Sequence, residues 1–323
     1  MDMHRILITG ANGFVGRRLC ALLKAQGQCV IAMTHSTSST PAGEHLHCDI
    51  RDAVALQEAV RHAAPSHVIH LAALCHVPTS FVDPQSTWKT NVIGSVNLLE
   101  ALKRHAPDAF TLFVSSSEVY GAGFRQGQPI REDAICQPMN PYAASKLAAE
   151  VAFQEYFRRG LRGVIARPFN HIGPGQSPDY ATASFAQQIA RIEAGLQPPH
   201  LKVGNLEARR DFLDVQDVCD AYLTLLGLAK REANYSRCFN VASGKPLPIA
   251  DVLRTLLDLS QASIDVVQDP QRMRPSDIPY AAGDCSALIT ETGWSARRDL
   301  TETLSTLLDY WRNTIVAERA ARR

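Results

Sequence analysis

Residues 5–16 read RILITGANGFVG. Arg5–Thr9 is an apolar, β-branched run, and Gly10, Gly13 and Gly16 follow it directly. The run suits a strand buried on both faces. From Gly13 to Gln26 the chain places Val15, Leu19, Leu22 and Leu23 on one helical face. Small residues between a strand and a helix start let the backbone turn tightly and approach a pyrophosphate. The first-turn N–H groups and the helix dipole then attract that anion. A glycine triplet alone also fits an ordinary turn. Its place between the first strand and the first helix makes Gly10, Asn12, Gly13, Phe14, Val15 and Gly16 a candidate dinucleotide cradle.

Outward from that stretch the alternation continues. Residues 29–33, 46–48, 67–71, 111–115 and 164–167 read as strands. Residues 54–62, 85–105 and 142–159 read as helices. Strands alternating with helices of this length predict right-handed parallel crossovers and a Rossmann-type, doubly wound α/β sheet. After Pro168 the pattern loosens. Residues 169–178, with two glycines and two prolines, read as loop. Helices are predicted at 182–194, 215–230 and 249–259, and strands at 238–241 and 264–267. The last helix begins after Asp299, with Glu302 completing a capping box. Its apolar stripe is Leu300, Leu304, Leu307, Leu308, Trp311 and Ile315. The expected division is a dinucleotide-binding domain at 1–168, rejoined by 211–242, and a smaller C-terminal α/β substrate-binding domain from 169–210 and 243–323.

Composition narrows the class. The 323 residues carry 33 basic and 32 acidic side chains. That balance argues against a nucleic-acid-binding surface spread over the molecule. With 46% hydrophobic and 20% charged residues the chain is neither disordered nor fibrous. None of the eight cysteines forms a Cys-x-x-Cys pair, so no zinc ribbon, thioredoxin-type motif or metal site is expected. No signal peptide is apparent, and no apolar run approaches the roughly 20 residues of a bilayer span. The reading is a cytoplasmic protein with reduced thiols and no membrane partner.

The second strand should end beside the adenosine ribose, where an acidic residue selects NAD. Thr34 opens a stretch of hydroxyls and His35 there, with no carboxylate to repel a 2′-phosphate and no arginine to pair with it. The reading is NADPH (NADP) by preference, with NAD also accepted. Asp49 and Ile50 follow the third strand, where the adenine ring would fall.

Tyr142 and Lys146 lie four apart at a helix start, on one face. A nearby ammonium favours a phenolate. Such a tyrosine exchanges a proton with a substrate oxygen while hydride moves at the carbon. A strand ending in Ser115-Ser116-Ser117-Glu118-Val119-Tyr120-Gly121 precedes the pair and aims serines at the crevice where parallel sheets bind ligands.

With GANGFVG, SSSEVYG and NPYAASK, the chain resembles the extended short-chain dehydrogenases/reductases, the NAD-dependent epimerase/dehydratase group. The resemblance covers nearly the whole length. It implies a triad of Ser116, Tyr142 and Lys146 over a nicotinamide, with Glu118 as a further catalytic residue and Ser117 on the substrate side. It also implies cofactor contacts from Leu71, Ala72 and Ala73, a structural or cofactor-side role for Asn91, and a homodimer. Three stretches, at 167–176, 203–212 and 272–279, are similar to the branch that reduces GDP-4-dehydro-6-deoxy-D-mannose to GDP-D-rhamnose. On that likeness the substrate is a GDP-sugar. Arg210 and Arg274 match diphosphate contacts, suited to a guanidinium fork, and Asn170 matches a sugar contact. Other readings remain open. Glu118 stands where GDP-mannose 4,6-dehydratases keep a base, UDP-hexose 4-epimerases share the triad, and some proteins of this fold only sense dinucleotides.

Overall fold

A computed structural model describes residues 4–35, 42–231, 236–273 and 278–321. The first unit is built on seven parallel strands: β1 Arg5–Thr9, β2 Cys29–Thr34, β3 Glu44–His47, β4 His67–His70, β5 Phe110–Val114, β6 Arg162–Pro168 and β10 Cys238–Val241. In space they run β10-β6-β5-β4-β1-β2-β3. The order reverses between β1 and β4, which opens a crevice beyond their C-terminal ends. Alternate residues of β1 explain the two covered faces. Ile6 and Ile8 join a core with Leu19 and Leu23 of α1 (Phe14–Ala25) and with Val218 and Tyr222 of α8 (Val215–Leu226). Leu7 faces the other core, with Leu56 and Val60 of α2 (Ala53–Ala63), Leu98 and Leu102 of α5 (Gly94–His105), and Phe153 of α6 (Pro141–Arg158).

The helix expected over 85–105 is not uniform. It runs through α4 (Pro84–Trp88), a π-turn at Lys89–Ile93, and then α5. Its start is capped by Asp83, which accepts from Ser86 N at 3.0 Å. A π-turn gives the helix one extra residue and re-aims a side chain. Here that turn contains Asn91.

A second sheet forms on β9 (Arg209–Asp214), flanked by β11 (Pro246–Pro248), β13 (Tyr280–Ala281) and β7 (Asn170–Ile172). The expected loop at 169–178 therefore contains a strand. β7 pairs in parallel with residues 212–214 of β9, a partner distant in sequence. Leu213 of β9 and Val215, which begins α8, both enter the first core. β8 (His200–Val203) pairs with β12 (Asp265–Gln268). Helices α7 (Ala181–Glu193), α9 (Ile249–Asp258) and α11 (Leu300–Ala321) bury a third core against these strands. Asp299 Oδ1 accepts from Thr301 N and Glu302 N at the start of α11. Leu304, Leu307, Leu308, Trp311 and Ile315 are buried along its stripe, and Leu300 is half-buried.

Candidate active site

The β1–α1 turn shows why its glycines are there. Gly10 has φ of +68°, and a Cβ on it would meet Ala72 backbone at 2.9 Å. A Cβ on Gly16 would lie 2.5 Å from the Gly10 carbonyl oxygen. Thr9 ties the facing loop down, its Oγ1 accepting from Ala72 N at 3.2 Å. Gly13 is the N-cap of α1 and brings no capping side chain, and the first turn holds no acidic residue. The amides at this helix start are thus turned to the crevice with nothing anionic against them, which fits a pyrophosphate.

Other cofactor candidates have definite surroundings. Leu71 N donates to Thr9 O, and Ala73 continues the same loop. Thr34 is buried at the end of β2. Asp49 is held by Arg51, with a 2.6 Å ion pair that keeps its carboxyl below the usual carboxylate range. The Ile50 side chain packs into the core under Gly94, where an added Cβ would meet its Cδ1 at 2.6 Å. Phe14 is occupied by the protein. Arg18 lies 4.7 Å over its ring, and His171 stacks parallel to it at 6.0 Å. His171 also shares its Nδ1 with Phe169 O, so it is bonded to backbone. Val15 is half-buried, and Asn12 O accepts from Arg17 Nε at 2.7 Å.

Tyr142 begins α6 because Asn140 caps it, accepting from Ala143 N at 2.8 Å, and Pro141 fills the first position. Asn140 Nδ2 in turn donates to Glu118 Oε2 at 3.0 Å. Tyr142 N donates to Ser80 Oγ at 3.2 Å, fixing the tyrosine from a second side. Ser116 lies near enough to the Tyr142 phenol to favour its ionised form. Ser116 Oγ also accepts from Glu118 N, which starts the turn after β5. Lys146 is buried, and its Nζ donates to Val114 O at 2.6 Å.

Burial dominates the electrostatics of both Tyr142 and Lys146. Burial pushes the Tyr142 phenol above its ordinary value, Cys75 and Glu118 add to that, and Ser116 opposes it. Burial likewise pulls the Lys146 ammonium down to about 8. Desolvation is the largest effect on each because both groups lie under the protein surface.

Asn91 supports this corner. Its Oδ1 accepts from Leu74 N at 2.8 Å, and its Nδ2 donates to Leu74 O and to Ser145 Oγ. It thereby pins the loop after β4 against α6. On the substrate side, Ser117 is buried and Asn170 is exposed at the start of β7. Arg210 in β9 donates to Ile278 O at 2.6 Å. Arg274 lies outside the described residues. Sequence reasoning passed over Ser80, Asn140 and Cys75. The Asn-Pro pair before Tyr142 is a helix-start signal that identifies Asn140. Ser80 and Cys75 carry no local signal.

The model of the NAD dependent epimerase/dehydratase family matches residues 6–242. The chain belongs to that family. Within it, the chain is 39% identical to a GDP-6-deoxy-D-mannose reductase of Pseudomonas aeruginosa, over 98% of this chain and 99% of the relative. A UDP-glucose 4-epimerase of Azospirillum brasilense is 30% identical, over 91% and 88%. The solved structure of RMD from Pseudomonas aeruginosa complexed with NADPH matches with a TM-score of 0.83 at 38% identity, covering 97% of this chain and all of that one. Like these members of the epimerase/dehydratase family, the chain is an NAD(P)-dependent enzyme with a Rossmann-like sheet. Among the described residues no helix is long and apolar enough to cross a membrane.

Proposed function

We propose that the protein uses NADPH to reduce the 4-keto group of GDP-4-dehydro-6-deoxy-D-mannose, giving GDP-D-rhamnose. Full-length similarity to a reductase named for that product family carries the reading. The site supports it with a buried phenol, serine hydroxyl and ammonium, carried by the start of α6 and the segment after β5. NADPH, when bound, supplies the hydride for C4. Tyr142 donates its hydroxyl proton to the ketone oxygen, and Ser116 hydrogen-bonds the same oxygen. Lys146 holds the ribose side of the cofactor. Ser117 and Asn170 contact the sugar, and Arg210 and Arg274 take the diphosphate. Leu71, Ala72, Ala73, Thr34, Asp49 and Ile50 line the cofactor path.

Glu118 is held at the cap of α6, its Oε2 accepting from Asn140 Nδ2 at 3.0 Å. The test is incubation with the 4-keto GDP-sugar and NADPH or NADH. Stoichiometric loss of the reduced-nicotinamide absorbance with a rhamno-configured product supports the reading. Water loss from GDP-mannose without net NADPH use overturns it in favour of a dehydratase.

A cytoplasmic homodimer completes the proposal. Eight unpaired cysteines suit a reducing compartment. Exposed Trp88, Ile93 and Val151, on the α4–α5 run and on α6, suit docking of a second copy. Sedimentation of the purified protein checks it.

A further inference from the structure

Lys146 is a buried cation in direct contact with a carbonyl oxygen and an aromatic ring. It is 4% exposed. Its Nζ reaches only a carbonyl oxygen, that of Val114, and lies 4.5 Å over the Phe113 ring. An ammonium withdrawn from water needs an opposite charge nearby or it gives up its proton.

That charge stands one turn along the same helix. Tyr142, Lys146 and Glu150 occupy positions i, i+4 and i+8 of α6 and share a face. Glu150 is fully buried. Its two oxygens accept from Arg167 Nε at 3.1 and 3.2 Å, and Oε2 accepts from Nη2 at 2.7 Å. Arg167 is itself clamped. Its Nη1 donates to the Tyr120 hydroxyl at 2.9 Å and to Glu132 O at 3.1 Å. The Tyr120 hydroxyl donates onward to Asn240 Oδ1 at 2.7 Å. The Arg167 guanidinium, clamped in turn, thereby holds the carboxylate where α6 and β6 set it.

We propose that Glu150 is a positioning residue of the reduction: clamped by Arg167 one helical turn from Lys146, it supplies the negative charge that keeps this lysine an ammonium in its place. The proposal rests on Tyr142 and Lys146 acting as read above. The titratable groups around Lys146 are Tyr142 and Glu150 from α6, Cys75 from the loop after β4, and His70 from β4. β5 presents only Phe113 and the Val114 carbonyl, and Arg167 of β6 faces Glu150. Burial lowers Lys146, while Glu150 and Cys75 oppose that effect.

The experiment is kcat/KM against pH for Glu150→Gln, after near-UV circular dichroism and a cooperative melt show that it folds. Removing the charge moves the basic limb down by about half to one pH unit. Activity at pH 9 then falls about three- to tenfold further than at pH 6.5, with the KM for the GDP-sugar within about twofold of wild type. Glu150→Asp retains the charge and restores the limb. Tyr120→Phe loosens Arg167 without removing charge, so it lowers Tm and leaves the limb in place. If Glu150→Gln does not fold, Glu150→Gln with Arg167→Gln removes the buried pair together and is expected to move the limb down by less, because the cation leaves with the carboxylate. An unmoved limb in the folded variant, or an equal displacement in Tyr120→Phe, overturns the proposal. Lys146→Met separates the two readings. Near-normal kcat there overturns the Tyr142–Lys146 assignment itself, whereas an inactive Lys146→Met beside an unmoved Glu150→Gln limb overturns only the role of Glu150.

Discussion

Tyr142 is a phenol whose burial favours the protonated form, which suits a group that must donate a proton. Tyr142→Phe keeps the ring and removes the donor. General acid catalysis contributes about 10²–10⁴-fold, so kcat is expected to fall by about that factor with little change in affinity for the GDP-sugar. Single-turnover kinetics check this, and near-normal chemistry would remove Tyr142 from the proton transfer. A second residue-scale expectation concerns pH. His70 is enclosed by Thr9 Oγ1 at 2.7 Å and Ser95 Oγ at 3.0 Å. Burial pulls it down to about 3, and His67 down to about 4. An unfolded histidine titrates near pH 6.5. Below that pH the unfolded chain binds protons that the folded chain refuses. Stability therefore falls as pH drops from about 6.5 toward 4, by about 1.4 kcal/mol per pH unit for each histidine. Thermal melts at pH 7 and pH 5 should show the fall, and His70→Gln should make it shallower.

At the scale of single elements, two helix starts carry the site. α1 begins at a glycine and leaves its amides to the crevice. Gly16→Ala would press a methyl against the Gly10 carbonyl oxygen and the Ala11 backbone, forcing the turn away from Ala72. The expected outcome is NADPH affinity weakened about tenfold or more, roughly 1.4 kcal/mol, read by fluorescence titration. An unchanged Kd would show that the helix start does not meet the pyrophosphate. α6 begins at Asn140, which both caps the helix and holds Glu118. Loss of such a cap costs about 1 kcal/mol. Asn140→Ala should lower Tm by a few degrees and lower kcat as well, because the Tyr142 turn loses its anchor. A stability loss without any rate change would limit Asn140 to the fold.

On the scale of the molecule, Asp211 joins the two sheets. Its carboxylate, fully buried in β9, accepts from Ser243 N, Ser243 Oγ, Gly244 N and Gly283 N. These donors come from the turn after β10 and from the segment after β13. Asp211→Ala leaves buried amides without acceptors, at about 1–3 kcal/mol each. A marked loss of Tm is expected, with the GDP-sugar KM raised more than the NADPH KM, because β9 carries Arg210. Differential scanning calorimetry and steady-state kinetics measure the two effects.

Local chemistry was sufficient for the first unit. The Arg5–Gly16 stretch, the alternating strands and helices and the spacing of Tyr142 from Lys146 all follow from periodicity and turn residues within a few positions. Each of those features is signalled by residues close in the chain. The second sheet was not legible in this way. β7 and β13 are short, and they form only because β9, distant in sequence, supplies their hydrogen bonds. The π-turn at Asn91 answers to Leu74 and Ser145 rather than to its own sequence. The same holds for the proton chemistry. Spacing put a lysine beside a tyrosine, but the depth of burial of both, and the Glu150–Arg167 pair on the same helical face, arise only when α6 packs against β5 and β6. Desolvation is a property of the packed interior, and no local pattern of residues encodes it.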